Sequence, residues 1–224
     1  MSIAAELIAA LRKGNERERN RAAGGGRPGM RHDGDRRADD GTPAARRHRL
    51  LVLRFGMPRH IRNPAGRMTV TGVVLAAGSS RRLGTPKQLL PYRDTTLLGA
   101  TLDVARGAGF DQLIVTLGGA AEKVRDTVPL AGVDVVVSDD HGAGCSASLR
   151  EALQRVDPQA AGIVLMLGDQ PGVNPATLRQ MATRGPAAEI MVCRYADGIG
   201  HPFWLSRTIF GELAQLHGDK GCGG

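Results

Sequence analysis

From Met68 onward the chain alternates short apolar runs with stretches whose apolar positions recur at helical spacing. "TGVVLAA" (71–77) is a continuous apolar run, as expected of a strand covered on both faces of its sheet. "TLLGATLDVARGAG" (96–109) predicts a helix: Thr96 can cap it, Leu98, Leu102 and Ala105 share a face, and Gly107 and Gly109 end it. "QLIVTL" (112–117) and "VDVVVS" (133–138) read as strands on either side of a short helix, "AAEKVRDTV" (120–128), which Pro129 stops. "SLREALQRV" (148–156) begins with Ser148 and Glu151 at capping-box spacing. "GIVLML" (162–167) is the most apolar run and predicts the central strand. Asn174 and Pro175 supply a cap and a first residue for the helix containing "ATLRQMA" (176–182). "EIMVCRY" (189–195) and "FWLS" (203–206) predict strands, and "RTIFGELAQLH" (207–217) a last helix.

Strand, helix and strand repeated at this spacing imply a three-layer α/β domain with right-handed crossovers. Such a sheet binds ligands beyond the carboxyl ends of its strands.

Charge divides the chain. Of 224 residues with a net charge of +8, residues 1–67 hold 16 Lys/Arg against 7 Asp/Glu, while residues 68–224 hold 14 against 15. All the excess positive charge therefore lies in the first segment. Residues 1–13 can form one short amphipathic helix on Ile3, Leu7, Ile8 and Leu11. Lys13 to Arg49 is too poor in large apolar residues to repay ordering, and "RLLVLRFGM" (49–57) is the one apolar patch before Met68. The segment 1–67 reads as a basic low-complexity extension, disordered or non-native, ahead of a domain at 68–224. Met68, which opens directly on the first strand, is the expected natural start. A basic arm for nucleic acid or membrane is the rival reading, but no aromatic interleaving supports it. Cys145, Cys193 and Cys222 are too scattered for a disulfide framework or a zinc site. With no apolar run of membrane-span length and no signal peptide, a cytoplasmic location is expected.

The chemistry gathers in "VVLAAGSSRRLGTPKQLLP" (73–91). Small residues after a strand let backbone N–H groups approach an anion, and Arg82 and Lys87 can neutralise a polyphosphate. The spacing fits neither the G-x-x-x-x-G-K-[ST] loop nor G-x-G-x-x-G. "LGDQP" (167–171) sets Asp169 after the central strand, where its carboxylate can hold Mg²⁺ beside a triphosphate or merely cap a turn.

These segments resemble the molybdenum-cofactor cytidylyltransferase family, within the wider GT-A-like nucleotidyltransferases. "LAAGSSRRLGTPKQLLP" is similar to the family's signature loop, with Leu83 where methionine is more usual. "GCSASLREAL" (144–153), "GDQP" (168–171), "GHPFWLS" (200–206) and "GDKG" (218–221) follow in family order. The resemblance implies a three-layer α/β/α Rossmann-like nucleotidyltransferase domain that moves CMP from CTP to the phosphate of a molybdopterin-type cofactor and releases pyrophosphate. It implies that Leu75, Ala76, Ala77, Gly78 and Ser79 hold the nucleotide and that Arg82 and Lys87 grip its triphosphate. Asp169 would bind Mg²⁺. Gly144, Ser146 and Ser148 would lie against base and ribose, and His201 near the acceptor pocket. A molybdoenzyme or chaperone would receive the product. For CTP over GTP the hint is Ala77 in "LAAG", with "TPKQ". An acceptor phosphate is already anionic, so positioning and charge neutralisation suffice and no general base is required.

The family's pattern normally continues beyond "GDKG" to a further strand and a second metal-binding carboxylate. The chain is therefore expected to be C-terminally short of the family pattern, with an open sheet edge and weak Mg²⁺ binding. The alternatives are GMP transfer, CMP transfer to another phosphorylated acceptor, and a non-catalytic cofactor-binding protein.

Overall fold

The computed structural model describes residues 49–54, 68–78, 85–138, 145–196 and 198–215. In chain order the elements are β1 (Arg49–Arg54), β2 (Thr69–Ala76), β3 (Pro91–Tyr92), β4 (Thr95–Thr96), α1 (Leu97–Arg106), β5 (Gln112–Leu117), α2 (Ala121–Thr127), β6 (Asp134–Val137), α3 (Cys145–Arg155), β7 (Ala160–Leu167), α4 (Pro175–Arg184), β8 (Ile190–Tyr195), β9 (Gly198–Ser206) and α5 (Phe210–Ala214). A seven-stranded sheet has the order β1-β8-β9-β7-β2-β5-β6, and β3 and β4 make a separate hairpin. β6, β5, β2 and β7 run parallel; β9 is antiparallel to β7, and β8 and β1 continue in antiparallel ladders.

Alternation along the strands builds two cores. Val70, Val74, Val164 and Met166 point to one face, where Leu98 and Leu102 of α1, Val124 of α2 and Leu178 and Met181 of α4 cover them. Val73, Leu75, Ile163 and Leu165 point to the other, under Leu149 and Ala152 of α3 and Leu213 of α5. The expected three layers are present, and the "GIVLML" strand lies at the centre of the sheet.

Local signals fix several element ends. Thr96 accepts a hydrogen bond from Gly99 N at 3.0 Å, and Asn174 accepts one from Ala176 N at 2.9 Å ahead of Pro175. Three expectations need correcting. α3 starts at Cys145, so Ser148 sits inside the helix rather than capping it. The strand expected at "FWLS" extends back to Gly198, because β8 pairs with residues that read as breakers. The last helix is a 3₁₀ turn (Arg207–Ile209) followed by the short α5. Within the basic extension, Arg49–Arg54 pairs antiparallel with β8 as the outer strand of the sheet.

Trp204, the chain's one tryptophan, is fully buried and donates from Nε1 to Ala188 O at 3.0 Å. Beside it, a Cβ at Gly162 would stand 2.3 Å from Leu205 O and 2.8 Å from the Trp204 ring. Gly162→Ala should therefore lower stability by about 1–3 kcal/mol through overpacking of the β7–β9 pair. Urea unfolding followed by Trp204 emission checks this, and an unchanged midpoint would contradict it.

Candidate functional site

β2 pairs with β5 on one side and β7 on the other, all three parallel, so the sheet reverses its winding between β2 and β7. A crevice forms at such a switch point, at the carboxyl ends of the strands. The register sets Leu75 opposite Leu167, and Gly168 N then donates to Leu75 O at 2.9 Å. A Cβ on Gly168 would lie 2.7 Å from Ala76 Cβ, and one on Gly118 would lie 2.4 Å from Ala77 O. Only glycine fits at either place, so three chain segments close together under the crevice. Thr101 Oγ1, buried in α1, lies 2.9 Å from Leu97 O and 3.2 Å from Gly168 O, tying that helix to the turn before Asp169.

Leu75 and Ala76 are taken up by the sheet. Both side chains are buried, Ala76 N donates to Thr116 Oγ1 at 3.4 Å, and Ala76 O accepts from Gln88. Ala77 is half-buried and Gly78 exposed, so these two carry the strand end into the crevice. The buried Gln88 side chain donates from Nε2 to Ala76 O and, at 3.0 Å, to Gly78 O. It clamps the start of the glycine turn. The sequence reading missed this role, since nothing in "TPKQ" shows that the glutamine reaches back to β2.

Lys87 begins the 3₁₀ turn that carries Gln88, and its Nζ forms an ion pair with the Asp169 carboxylate. Gly78, Lys87, Gln88 and Asp169 therefore stand at one end of the sheet. His201 comes from β9. Register with β8 jumps from Val192↔Phe203 to Cys193↔Gly200, leaving His201 and Pro202 in a bulge. Bulges re-aim side chains, and Pro202 has no N–H to lose from the ladder. The His201 ring packs 4.2 Å from that of Phe203, and its carbonyl accepts from Tyr195 Oη at 2.6 Å. It is 9% exposed, and its Nε2 has no hydrogen-bond partner among the described residues. Burial pushes the imidazole down to about 4 against the opposing pull of the Asp169 charge, so the ring is neutral at neutral pH.

Ser146 and Ser148 lie in the first turn of α3; Ser146 is half-buried and Ser148 buried. Ser79, Arg82 and Gly144 lie outside the described residues. Asp169, partly exposed, and the unpartnered nitrogen of His201 can each serve a divalent cation. Among the described residues no cluster of three or more His, Cys, Asp or Glu side chains forms, so phosphate and water oxygens would complete a coordination shell. Among the same residues no helix is long and apolar enough to cross a membrane.

The profile of the family described as "MobA-like NTP transferase domain" matches residues 72–223. A crystal structure of Rv0371c from Mycobacterium tuberculosis H37Rv is 73% identical, covering 69% of this chain and 79% of that one with a TM-score of 0.65. A structure of Rv0371c in complex with manganese is 70% identical, covers the same shares and has a TM-score of 0.63. Nicotine blue oxidoreductase of Paenarthrobacter nicotinovorans is 32% identical over 68% of this chain and 79% of its own length. The bifunctional protein GlmU of Burkholderia thailandensis is 37% identical over 49% of this chain, which spans only 24% of that relative.

Two outcomes follow from this geometry. Gln88→Glu keeps the shape of the side chain but removes both N–H donors. It should cost about 1–3 kcal/mol of stability in urea unfolding, because Ala76 O is left buried and unpaired. Full stability in that variant would show that Gln88 does not clamp the turn. For His201, the unfolded chain takes up a proton near 6.5 that the folded chain refuses until about 4. This stabilisation is complete above 6.5 and is lost as the pH falls toward 4. The thermal midpoint of the native protein should fall more between neutral pH and pH ~4.5 than that of His201→Gln.

Proposed function

The chain belongs to the family of MobA-like NTP transferase domains, and from that premise we propose that it transfers CMP from CTP to the phosphate of a molybdopterin-type cofactor. An acceptor oxygen forms a bond to the α-phosphorus of CTP, the bond to the bridging oxygen breaks, and pyrophosphate leaves. The observation that carries this reading is the Lys87–Asp169 ion pair beside Gly78 at the switch point between β2 and β7. A cation and a carboxylate, half-exposed and held together at a strand end, suit a polyphosphate that arrives with its own divalent metal.

In this reading Ala77 and Gly78 let the triphosphate approach the backbone, and Lys87 turns from Asp169 to the phosphates. Arg82 joins it, and Gly144, Ser146 and Ser148 border the base and ribose. Asp169 holds Mg²⁺ or a similar divalent ion, which when bound neutralises charge on the triphosphate and fixes its orientation. The manganese complex of the similar Rv0371c supports a divalent metal. The preference for CTP over GTP rests on Ala77 in "LAAG". The likeness to nicotine blue oxidoreductase favours a second reading, an oxidoreductase; such a protein would turn over its substrate without releasing pyrophosphate.

Pyrophosphate release by the purified chain, with CTP or GTP and a molybdopterin-type acceptor, tests the proposal. Turnover with CTP should exceed that with GTP. Asp169→Asn should lower it about 100-fold or more, as expected when a metal-assisted charge stabilisation is removed. Lys87→Ala should weaken nucleotide binding through loss of a charge-assisted contact. A preference for GTP would reassign the nucleotide. Unchanged turnover in Asp169→Asn would overturn the site.

A further inference from the structure

We propose that His201 Nε2 is the second protein ligand of the divalent cation held by Asp169, and that this nitrogen tilts the site from magnesium toward manganese. The inference rests on the reading of Asp169 as a metal-holding residue and adds the residue that decides which metal is held. Its basis is the path of β9. The β7–β9 ladder runs to Leu165↔Phe203, where β7 continues toward Asp169 and β9 runs back toward His201. Leu165 and Phe203 share one face of the sheet, and the His201 ring packs on Phe203, so the imidazole belongs to that face, near the end of β7.

The nitrogen itself is the second observation. Nε2 is buried and without a hydrogen-bond partner among the described residues, while the backbone around it is fastened by Tyr195 Oη to the His201 carbonyl. A buried polar atom on a fixed ring calls for an occupant. Among the described residues the charge that acts on it is that of Asp169, after β7, which is itself paired with Lys87. An unpartnered imidazole nitrogen within the field of a carboxylate is a donor set that a cation can use. Magnesium takes oxygen ligands almost without exception, whereas an imidazole nitrogen suits first-row transition metals. A mixed nitrogen and oxygen pair is therefore a choice of metal as well as a place for one.

The test is Mn²⁺ binding to the full chain by electron paramagnetic resonance, with and without CTP, with pulsed detection of ¹⁴N coupling to the bound ion. The wild-type protein should show imidazole nitrogen coupling. His201→Gln should abolish it and weaken Mn²⁺ binding on the order of tenfold or more, as ligand-sphere changes do. Mg²⁺, measured by competition, should weaken much less, so that the Mn²⁺ preference shrinks. Bound Mn²⁺ that depends on Asp169 but shows no ¹⁴N coupling in the wild type overturns the inference and leaves the Asp169 reading standing. Mn²⁺ binding that survives in Asp169→Asn, or no binding in either condition, overturns the Asp169 reading as well. A His201→Gln variant with unaltered metal binding but weaker acceptor binding assigns His201 to the acceptor instead. Because the ¹⁴N signal is read on the wild type, the result does not depend on the variant folding.

Discussion

The approach of β7 to β2 at their carboxyl ends governs what the site can be. The two strands are parallel neighbours with Leu75 opposite Leu167, and the next residue, Gly168, hands its N–H to Leu75 O at 2.9 Å. A side chain at 168 would run into Ala76, so the contact survives only with glycine. This one contact decides where Asp169 emerges: one residue past a closed backbone seam, beside Ala77 and Gly78. Gly118 makes the matching approach from β5 onto Ala77 O. The floor of the crevice is thus backbone against backbone, which leaves little freedom for the groups above it.

The groups above that floor divide into fixed and exchangeable ones. Gln88 is buried and holds two carbonyls, and His201 is buried and packed on Phe203; neither moves without breaking interior contacts. The Lys87–Asp169 pair differs, with side chains 46% and 28% exposed. An ion pair that open to water contributes only about 0–1 kcal/mol, so an incoming anion with its cation can replace both partners at small cost. Before ligand arrives, the pair keeps a carboxylate and an ammonium from facing the crevice unmatched. A rigid frame with replaceable charges is what polyphosphate positioning requires, since the chemistry depends on placement more than on proton transfer.

Legibility in the sequence followed the range of the interaction. "QLIVTL" gave the bounds of β5, and the Thr96 and Asn174 caps marked true helix starts, because cap chemistry is local. Ser148 misled because an i,i+3 Ser–Glu pair looks the same at a helix start and inside a first turn. Gly198, Gly200 and Pro202 hid half of β9, since they read as breakers until β8 supplies a partner ladder with a bulge. β1 was hidden for the same reason: a short apolar patch among arginines becomes a strand only against β8. At the site, Gly78, Lys87 and Asp169 were legible from motif chemistry. The Gln88 clamp was not, because no spacing reveals that a side chain reaches back to the end of β2.

The antiparallel half of the sheet has its own bearing on function. A wholly parallel sheet brings to its binding end only residues that follow strands. β9 runs the other way, so its first half lies at the carboxyl end of β7, and a residue near its start can meet one just past the end of β7. That reversal carries His201 toward the end of the sheet from which Asp169 emerges. The bulge at His201 and Pro202 then releases two residues from the β8 ladder, and within it the imidazole packs on Phe203. A proline there removes no hydrogen bond, because the ladder is already interrupted. In the sequence the same dipeptide reads as a turn. In the fold it is a strand that yields at one point, with its imidazole toward the carboxyl end of the parallel strands.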